Sequence, residues 1–217
     1  MTDTLLLNLK QEIIRFQEWQ TQNPGRWEDD YENWRDIYNA FEPFVQAVPF
    51  QRWELETTQL ILYAIARNHE PEYLAEMVAQ YPPMLLFLAK ASLASEEYEA
   101  KWLLAAQLGE LPEYASQSEP ILVRLVEAGR FVKDGQDVNE YPSRRALKAL
   151  GRLKSAAVED LVEVAWSTGY EYQRMGVLRA LYDAASPQLE KYLRQAEEAS
   201  NDYLRLFAKR IRDTTLD

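Results

Sequence analysis

The sequence predicts an all-α protein built from stacked antiparallel helix pairs. Helix-forming residues such as Ala, Leu, Glu, Gln and Arg dominate, and no run of β-branched residues alternates with polar ones. Apolar residues recur at spacings of three to four along most segments, which is the period of an amphipathic helix. In addition, residues 141–213 repeat their own pattern at an offset of about 31 residues, which is typical of a helical repeat array.

The composition limits the class of protein. The chain has 217 residues, of which 47% are hydrophobic and 12% aromatic, so it can bury a large core. It has no cysteine, which excludes disulfides and thiolate metal sites and favours a reducing compartment. Its first residues lack the pattern of a signal peptide, and its longest apolar run when tyrosine is not counted, residues 84–89, is far below the roughly 20 residues that span a bilayer. We therefore expect a soluble, cytoplasmic protein.

The N-terminal region predicts two amphipathic helices. The first runs from about residue 5 to 19, and the sequence Asn-Pro-Gly at 23–25 stops it. The second begins near Glu28 and carries an aromatic stripe at alternating spacings of three and four. Pro43 is expected to kink or split this second helix, because the proline ring clashes with the preceding turn.

The middle of the chain is more apolar. Residues 60–66 are hydrophobic on every side, as in a helix that neighbours cover. The pair of prolines at 82–83 opens a short helix that reaches residue 93. Ser95 then caps a helix at residues 98–108, and its partner is predicted at residues 119–128 with Ser118 as its cap.

The C-terminal region repeats itself. At an offset of 31, residues 148–150 (KAL) align with residues 179–181 (RAL), and a third first helix follows at residues 202–212. The helix at 98–108 aligns at an offset of 42, which residues 130–141 explain as an inserted loop. This loop is a candidate recognition element, since long loops on a repeat scaffold often carry function.

Residues 143–153 (SRRALKALGRL), followed by residues 156–161 (AAVEDL), resemble a HEAT repeat. An Arg-rich first helix with Ala/Leu spacing is followed by a short turn and a second helix with paired aliphatic residues. The resemblance covers residues 141–213; it departs from the pattern at Gly176 and Tyr182, and no second helix follows Ile211.

The resemblance implies a short HEAT-like α-solenoid. Residues 1–80, acidic and rich in aromatics, would form an N-terminal cap or bundle, and residues 81–217 the repeat array, unless the whole chain is one continuous domain. Proteins of this family are mostly protein-binding scaffolds. A minority bind nucleic acid or act as base-excision or lyase enzymes.

The net charge of −11 is unevenly distributed. Residues 1–140 carry 11 Lys/Arg against 24 Asp/Glu, a net charge of −13, whereas residues 141–217 carry 13 against 11, a net charge of +2. An acidic surface repels phosphate backbones and attracts basic proteins. The charge therefore predicts a basic protein partner and argues against nucleic acid; the alternative is that it serves solubility alone.

The sequence shows no catalytic, metal or cofactor site. His69 is the only histidine, so a site with two or three histidine ligands is excluded, and its turn sequence favours a capping or exposed role. A Gly-rich phosphate loop, a serine nucleophile elbow and a dinucleotide fingerprint are all missing. Acid–base chemistry by paired carboxylates stays open as an alternative, although no pair stands out.

Two groups of residues are candidates for partner binding. The first is an acidic and aromatic cluster of Trp27, Asp29, Asp30 and Glu32. Its alternative role is a helix N-terminus, where carboxylates stabilise the helix dipole and the neighbouring aromatics enter the core.

The second group consists of residues on the second helices of the repeats, which match under the 31-residue shift: Glu159, Glu163, Glu190 and Arg194. Second helices line the concave face of HEAT-like arrays. The first helices carry many basic residues, among them Arg144, Arg145 and Lys148. Those residues form either a nucleic-acid stripe or a solvated face paired with carboxylates.

The leading hypothesis is a non-enzymatic scaffold that binds a basic protein, in a sharper version an inhibitor or immunity-type partner of a basic toxin or nuclease. Two alternatives remain open. One is a nucleic-acid-binding or base-processing enzyme on the same scaffold, and the other is a structural or lyase-like subunit of a larger assembly.

Overall fold

A computed structural model describes residues 2–128 and 140–215 of the chain. This part is built from α-helices and three short 3₁₀ helices, with no strand among the described residues, which confirms the all-α prediction. Most of the predicted loop at 130–141 lies outside the described residues. The α-helices are α1 (Thr2–Gln22), α2 (Trp34–Ala47), α3 (Leu55–Arg67), α4 (Tyr73–Ala79), α5 (Pro82–Ser92), α6 (Tyr98–Leu108), α7 (Ala115–Ala128), α8 (Glu140–Arg152), α9 (Ala157–Ser167), α10 (Glu171–Asp183), α11 (Leu189–Glu197) and α12 (Asp202–Thr215).

The chain divides into two compact units. Unit 1 comprises Met1–Leu103, and unit 2 comprises Leu104–Asp217. In unit 1, α1 packs against α2 and α3, and α4 packs against α2, α3 and α5. In unit 2, α8 packs against α7 and α10, and α10 also contacts α12. The division predicted near residue 80 falls within unit 1, between α4 and α5, and stays a prediction about where a repeat array would begin.

The core of unit 1 is aromatic at its N-terminal end. Phe16 is only 1% exposed, and its ring lies 4.9 Å from the ring of Trp34 and 5.1 Å from that of Tyr31. Trp19 also contacts the ring of Tyr31, at 5.3 Å. These contacts between α1 and the start of α2 fix the chain that connects the two helices, because aromatic rings bury large areas in defined geometries.

The second helix differs from its prediction in two ways. α2 begins at Trp34 and not near Glu28, since residues 28–30 form a separate 3₁₀ helix and Tyr31 is extended. Pro43 lies inside α2 and does not split it. The carbonyl that loses its hydrogen bond belongs to the exposed Asn39, so water can satisfy it without breaking the helix.

The helix predicted at 119–128 also begins earlier. α7 starts at Ala115, directly after a 3₁₀ helix at Pro112–Tyr114. Ser118 is fully buried within α7 and is not its cap, which corrects the prediction. Pro120 is tolerated because the carbonyl four residues before it, that of Ser116, belongs to an exposed residue. In contrast, α5 begins at the predicted prolines and α6 has the predicted bounds.

Two turns in unit 2 have the same geometry. Lys154, between α8 and α9, and Ala185, between α10 and α11, both adopt positive φ, at 54° and 51°. Ser155 and Ser186 follow them. Each backbone N–H donates to the carbonyl five residues earlier, at 3.0 and 2.9 Å, and each hydroxyl accepts from the N–H two residues later, at 3.1 and 3.2 Å. These residues are 31 positions apart, so the sequence offset corresponds to a repeated local structure.

The same two serines make equivalent contacts with the helix pair that precedes each of them. The Ser155 hydroxyl donates to Glu119 on α7, and the Ser186 hydroxyl donates to Glu159 on α9 at 2.7 Å. One contact joins the start of α9 to α7, and the other joins the start of α11 to α9.

Two glycines mark close contacts between helices that are not adjacent in the sequence. A Cβ atom at Gly109 would lie 2.8 Å from Cα of Ala149, and a Cβ atom at Gly151 would lie 2.6 Å from Cα of Ala180. Such distances are shorter than any real Cβ contact, so only glycine allows the backbones to approach this closely. The contact at Gly151 sets the spacing of α8 and α10.

Candidate functional site

The first predicted binding cluster lies on the surface of unit 1. Asp29, Asp30 and Glu32 are exposed, and Trp27 is 72% exposed, an unusual position for so large an apolar side chain. The arrangement has features of a binding cluster and of a helix start. Asp29 and Asp30 lie in a short 3₁₀ helix, Tyr31 turns inward to the core, and Trp27 stays in solvent.

The connection between α1 and α2 holds these side chains outward. The side chain of Asn23 donates to the carbonyl of Trp19 at 2.8 Å and so ends α1, and Gly25 turns the chain with φ of +83°. The indole N–H of Trp34 then donates to the carbonyl of Glu28 at 2.9 Å. Because Trp34 and Tyr31 are buried, the acidic residues next to them in the sequence are fixed at the surface.

A second turn brings further charge to the same place. Asn68 is buried at the end of α3; its amide donates to the hydroxyl of Tyr38 at 2.8 Å, and its side-chain oxygen accepts from the N–H of Leu74 at 2.9 Å. Asn68 therefore caps α4. The sequence instead predicts a capping or exposed role for the next residue, His69. His69 is half-buried. The turn places His69 and Glu70 within electrostatic range of Asp29.

We call this surface the acidic patch. The seven residues that form it are Trp27, Glu28, Asp29, Asp30, Glu32, His69 and Glu70. Partial burial raises the pKa of Asp29, and the negative charges of Glu70, Glu28 and Asp30 raise it further, whereas the charge of His69 lowers it. The patch thus holds carboxylates that repel one another, and a bound cation would relieve this repulsion.

A concave surface lies between α2 and α4 of unit 1. It has a volume of about 560 Å³, and we call it the Tyr38 cleft. Tyr38 is within electrostatic range of the patch: burial raises the pKa of its hydroxyl, and the charge of Asp29 raises it further. Tyr73 contributes a partly exposed ring, 4.8 Å from the ring of Tyr38. The cleft is lined by Arg35, Tyr38, Asn39, Glu42, Pro71, Tyr73 and Met77.

A larger groove of about 640 Å³ lies elsewhere in unit 1, between α1, α3 and the start of α6. Two of its three carboxylates are already neutralised: Glu56 pairs with Lys10, and Glu97 pairs with Arg67, each at 2.8 Å. This groove therefore offers less uncompensated negative charge than the acidic patch, despite its size.

The second predicted cluster lies on α9 and α11 of unit 2, where its side chains are exposed but occupied. Glu159 accepts from the Ser186 hydroxyl. Glu163 accepts from the hydroxyl of Tyr192 at 2.7 Å and pairs with Lys191 at 3.1 Å, and these two hydrogen bonds lower its pKa.

Glu190 is also paired on two sides. Arg212 of α12 lies 3.0 Å from one of its oxygens, and Arg194 lies 2.9 Å from the other. Hydrogen bonds from Arg212 and then Arg194 lower the pKa of Glu190. These contacts connect α9, α11 and α12, so the second cluster has a structural role, and its role in partner binding stays a prediction.

Three members of the acidic patch lie outside the predicted cluster: Glu28, His69 and Glu70. Glu28 adjoins that cluster in the sequence, but His69 and Glu70 follow α3, about 40 residues later. The packing of α4 against α2 and the hydrogen bond from Asn68 to Tyr38 bring these parts of unit 1 together, and a single sequence carries no local signal for those contacts.

Neither a metal-binding group nor a membrane-spanning helix is found among the described residues. Within residues 2–128 and 140–215, no group of three or more His, Asp or Glu side chains is arranged to hold a metal ion. None of the described helices is both long enough and apolar enough to cross a membrane.

Replacing Asp29 with Asn is expected to stabilise the free protein slightly at neutral pH. The pKa of Asp29 is raised in the folded state, which means that folding disfavours the charged carboxylate. The resulting loss of folding stability is absent below the pKa of the unfolded chain. It grows as the pH rises and is complete above the pKa of the folded protein. Because Asp29 is exposed, the gain should not exceed about 0.5 kcal/mol. Urea unfolding at pH 7 and pH 3 measures it, and the gain should vanish at the lower pH.

The same substitution at the exposed Asp160 of α9 is the control. A loss of stability for Asp29→Asn at pH 7, relative to this control, would show that the carboxylates of the patch do not repel one another. An NMR titration of the Asp29 carboxyl carbon measures the raised pKa directly.

Comparison with known proteins found no match to this chain. No protein-family model matches the sequence, and neither the curated proteins nor the solved structures contain a significant match. Its function must therefore be inferred from the residues and their arrangement.

Proposed function

We propose that this protein is a non-enzymatic binding protein that engages a basic protein through the acidic patch of unit 1. The observation that carries the proposal is the combination of clustered carboxylates with the exposed ring of Trp27. Tryptophan dominates the energy of many interfaces, and carboxylates steer a basic partner and fix its orientation.

The neighbouring Tyr38 cleft supplies the second half of the interface. Interfaces combine a concave, partly apolar centre with a charged rim. Here Tyr38, Tyr73 and Met77 provide ring and thioether surface in the cleft, and the patch provides the acidic rim. A Lys or Arg side chain of the partner would pair with Asp29 or Asp30, and an apolar side chain beside it would enter the cleft.

The charge distribution along the chain agrees with binding of a basic partner to the N-terminal part of the chain. The net charge of −13 on residues 1–140 favours approach of a basic protein to this part of the chain. In the sharper form of the proposal, the protein inhibits a basic toxin or nuclease by covering its cationic substrate-binding surface.

We also propose that unit 2 is a short HEAT-like array. The equivalent turns at Lys154 and Ala185 support this, as do the equivalent serine–glutamate contacts and the close approaches at Gly109 and Gly151. A repeat that stacks on its neighbour reproduces the same contacts at each interface. In this proposal unit 2 is a rigid scaffold, because its predicted binding residues on α9 and α11 already pair within the array.

A double charge reversal tests the proposed function. With a partner isolated from the source cells, Asp29→Lys combined with Asp30→Lys should weaken binding at least about 100-fold, since each reversal exchanges an attraction for a repulsion. Isothermal titration calorimetry or surface plasmon resonance measures the dissociation constant. The wild-type affinity should also fall as salt rises.

The matched control reverses two other exposed carboxylates, with Glu54→Lys and Glu113→Lys, and so makes the same change in net charge. It should change affinity less than about tenfold, because long-range charge effects on a screened surface are small. An equal loss for both double variants would mean that only the net charge matters and that the patch is not a site.

A further inference from the structure

Unit 2 carries a second charged surface, of the opposite sign. Arg144, Arg145 and Lys148 follow one another on α8 at spacings that place them on one face of the helix. Since α10 packs closely against α8, Arg179 joins them from the neighbouring helix, within electrostatic range of Lys148. We call these four residues the basic ridge.

The arginines of the ridge are held in position. Arg144 lies 2.9 Å from a carboxylate oxygen of Glu140, and its guanidinium lies 4.5 Å from the centre of the Tyr141 ring and 5.2 Å from that of Tyr172. Arg145 donates to the hydroxyl of Tyr141 at 3.0 Å.

On α10, the Nε of Arg179 lies 2.9 Å from Asp183. Such contacts lower the entropy that each arginine loses when it binds a ligand, so the surface is preorganised.

Lys148 differs from these arginines because it has no partner among the described residues. Its ammonium group makes no hydrogen bond and no ion pair anywhere in the described part of the chain, although the side chain is half-buried. Burial lowers the pKa of Lys148, and the positive charges of Arg145, Arg144 and Arg179 lower it further; only Asp183 opposes them. A half-buried cation among three others is unfavourable unless an anion completes the site.

We propose that the basic ridge binds a short acidic segment of a second partner protein, with Lys148 as its central contact. This goes beyond the proposed function: the ligand has the opposite charge and the site lies on the other unit. Lys148 pairs with a carboxylate of the segment while the arginines contact carboxylates on either side. Tyr172, 59% exposed beside Arg144, supplies an aromatic contact.

The size and charge of the ridge favour a peptide over nucleic acid. From residue 144 to residue 148, the part of α8 that carries the ridge rises about 6 Å, which matches roughly two residues of extended peptide. The net charge of −11 repels a long phosphate backbone, which extends past the ridge. A short acidic segment interacts mainly with the positive charges of the ridge, because salt screens the more distant negative charges.

The test measures fluorescence anisotropy of a fluorescein-labelled decaglutamate peptide with the full chain. Lys148→Gln should weaken binding about tenfold, which corresponds to the loss of one charge-assisted hydrogen bond, whereas Lys148→Arg should retain it. Lys209→Gln, at an exposed lysine of α12, is the control with the same charge change and should alter affinity less than about twofold. Because Lys148 is repelled by its neighbours, Lys148→Gln should melt at the same temperature as the wild type or higher.

Three outcomes would overturn the proposal. One is an absence of peptide binding to the wild type, and another is equal binding by Lys148→Gln and Lys209→Gln. The third is a labelled decathymidylate that binds more tightly than the peptide and depends on Lys148, which would assign the ridge to nucleic acid. None of these results bears on the acidic patch, which the decaglutamate peptide avoids by charge.

Discussion

Replacing Phe16 with Ala is expected to destabilise unit 1 by about 3–5 kcal/mol. Phe16 is 1% exposed, and its ring touches those of Trp19, Tyr31, Trp34 and Tyr63. Truncation to alanine removes the favourable burial of the ring away from water. It also leaves a cavity that the large neighbouring rings cannot move to fill. The acidic patch should loosen as well, since Tyr31 and Trp34 hold its 3₁₀ helix in place.

Urea unfolding followed by tryptophan fluorescence measures this loss. Five of the six tryptophans lie within residues 2–103, so the signal reports mainly on unit 1. Ile14→Ala on the same helix is the control, because Ile14 is 47% exposed and should cost less than about 1 kcal/mol. A cost below about 1 kcal/mol for Phe16→Ala would mean that the aromatic cluster does not hold unit 1 together.

Replacing Gly151 with Ala is expected to destabilise unit 2 by about 1–3 kcal/mol. An alanine in a helix is normally about 1 kcal/mol more favourable than a glycine, so the expected sign is the reverse of the intrinsic preference. The added Cβ would lie 2.6 Å from both Cα and the carbonyl oxygen of Ala180. These are backbone atoms, and relieving the clash requires α8 and α10 to move apart.

Gly176→Ala provides the comparison. Its Cβ would lie 2.7 Å from Cγ of Arg144, a side-chain atom that can shift, so the cost should be smaller than at Gly151. Thermal unfolding followed by circular dichroism ranks the two variants. Equal stability of Gly151→Ala and the wild type would exclude the tight α8–α10 contact on which both the repeat proposal and the basic ridge depend.

The sequence predicts local structure well wherever the signals are local. The prolines at 82–83 sit at the start of α5 because of their own backbone preference, and α6 has the expected bounds. Ser95, predicted to cap α6, instead lies three residues before the first residue of that helix, and its hydroxyl accepts from the N–H of Glu97, which precedes the helix. The offset of 31 residues corresponds to turns with the same φ angles and the same serine hydrogen bonds.

The errors arise where distant contacts decide the outcome. Glu28 has the chemistry of a helix start, yet the indole of Trp34 holds its carbonyl and Tyr31 turns into the aromatic core, so α2 starts later. Ser118 has the chemistry of a cap, but α7 packs against α8 and buries it. Local propensity is a weak preference that tertiary packing overrides.

The candidate sites show the same difference between local sequence signals and contacts of distant segments. The exposed cluster around Trp27 is predictable because its aromatic and acidic residues are adjacent in the sequence. The additions of Glu70 and His69, and the neighbours of Lys148 on α10, depend on helix packing. The pairing of Glu163 and Glu190 within unit 2 likewise follows from the spacing of α9, α11 and α12, which no single helix reveals.

The most direct test of the central claim is affinity purification from the source cells with three versions of the chain: wild type, Asp29→Lys with Asp30→Lys, and the control Glu54→Lys with Glu113→Lys. Mass spectrometry at low and high salt identifies and quantifies what co-purifies. The account predicts one basic protein in stoichiometric amount with the wild type and the control, released by salt and missing from the patch variant. Recovery of the same protein with all three versions, or of no stoichiometric protein with any, would contradict it.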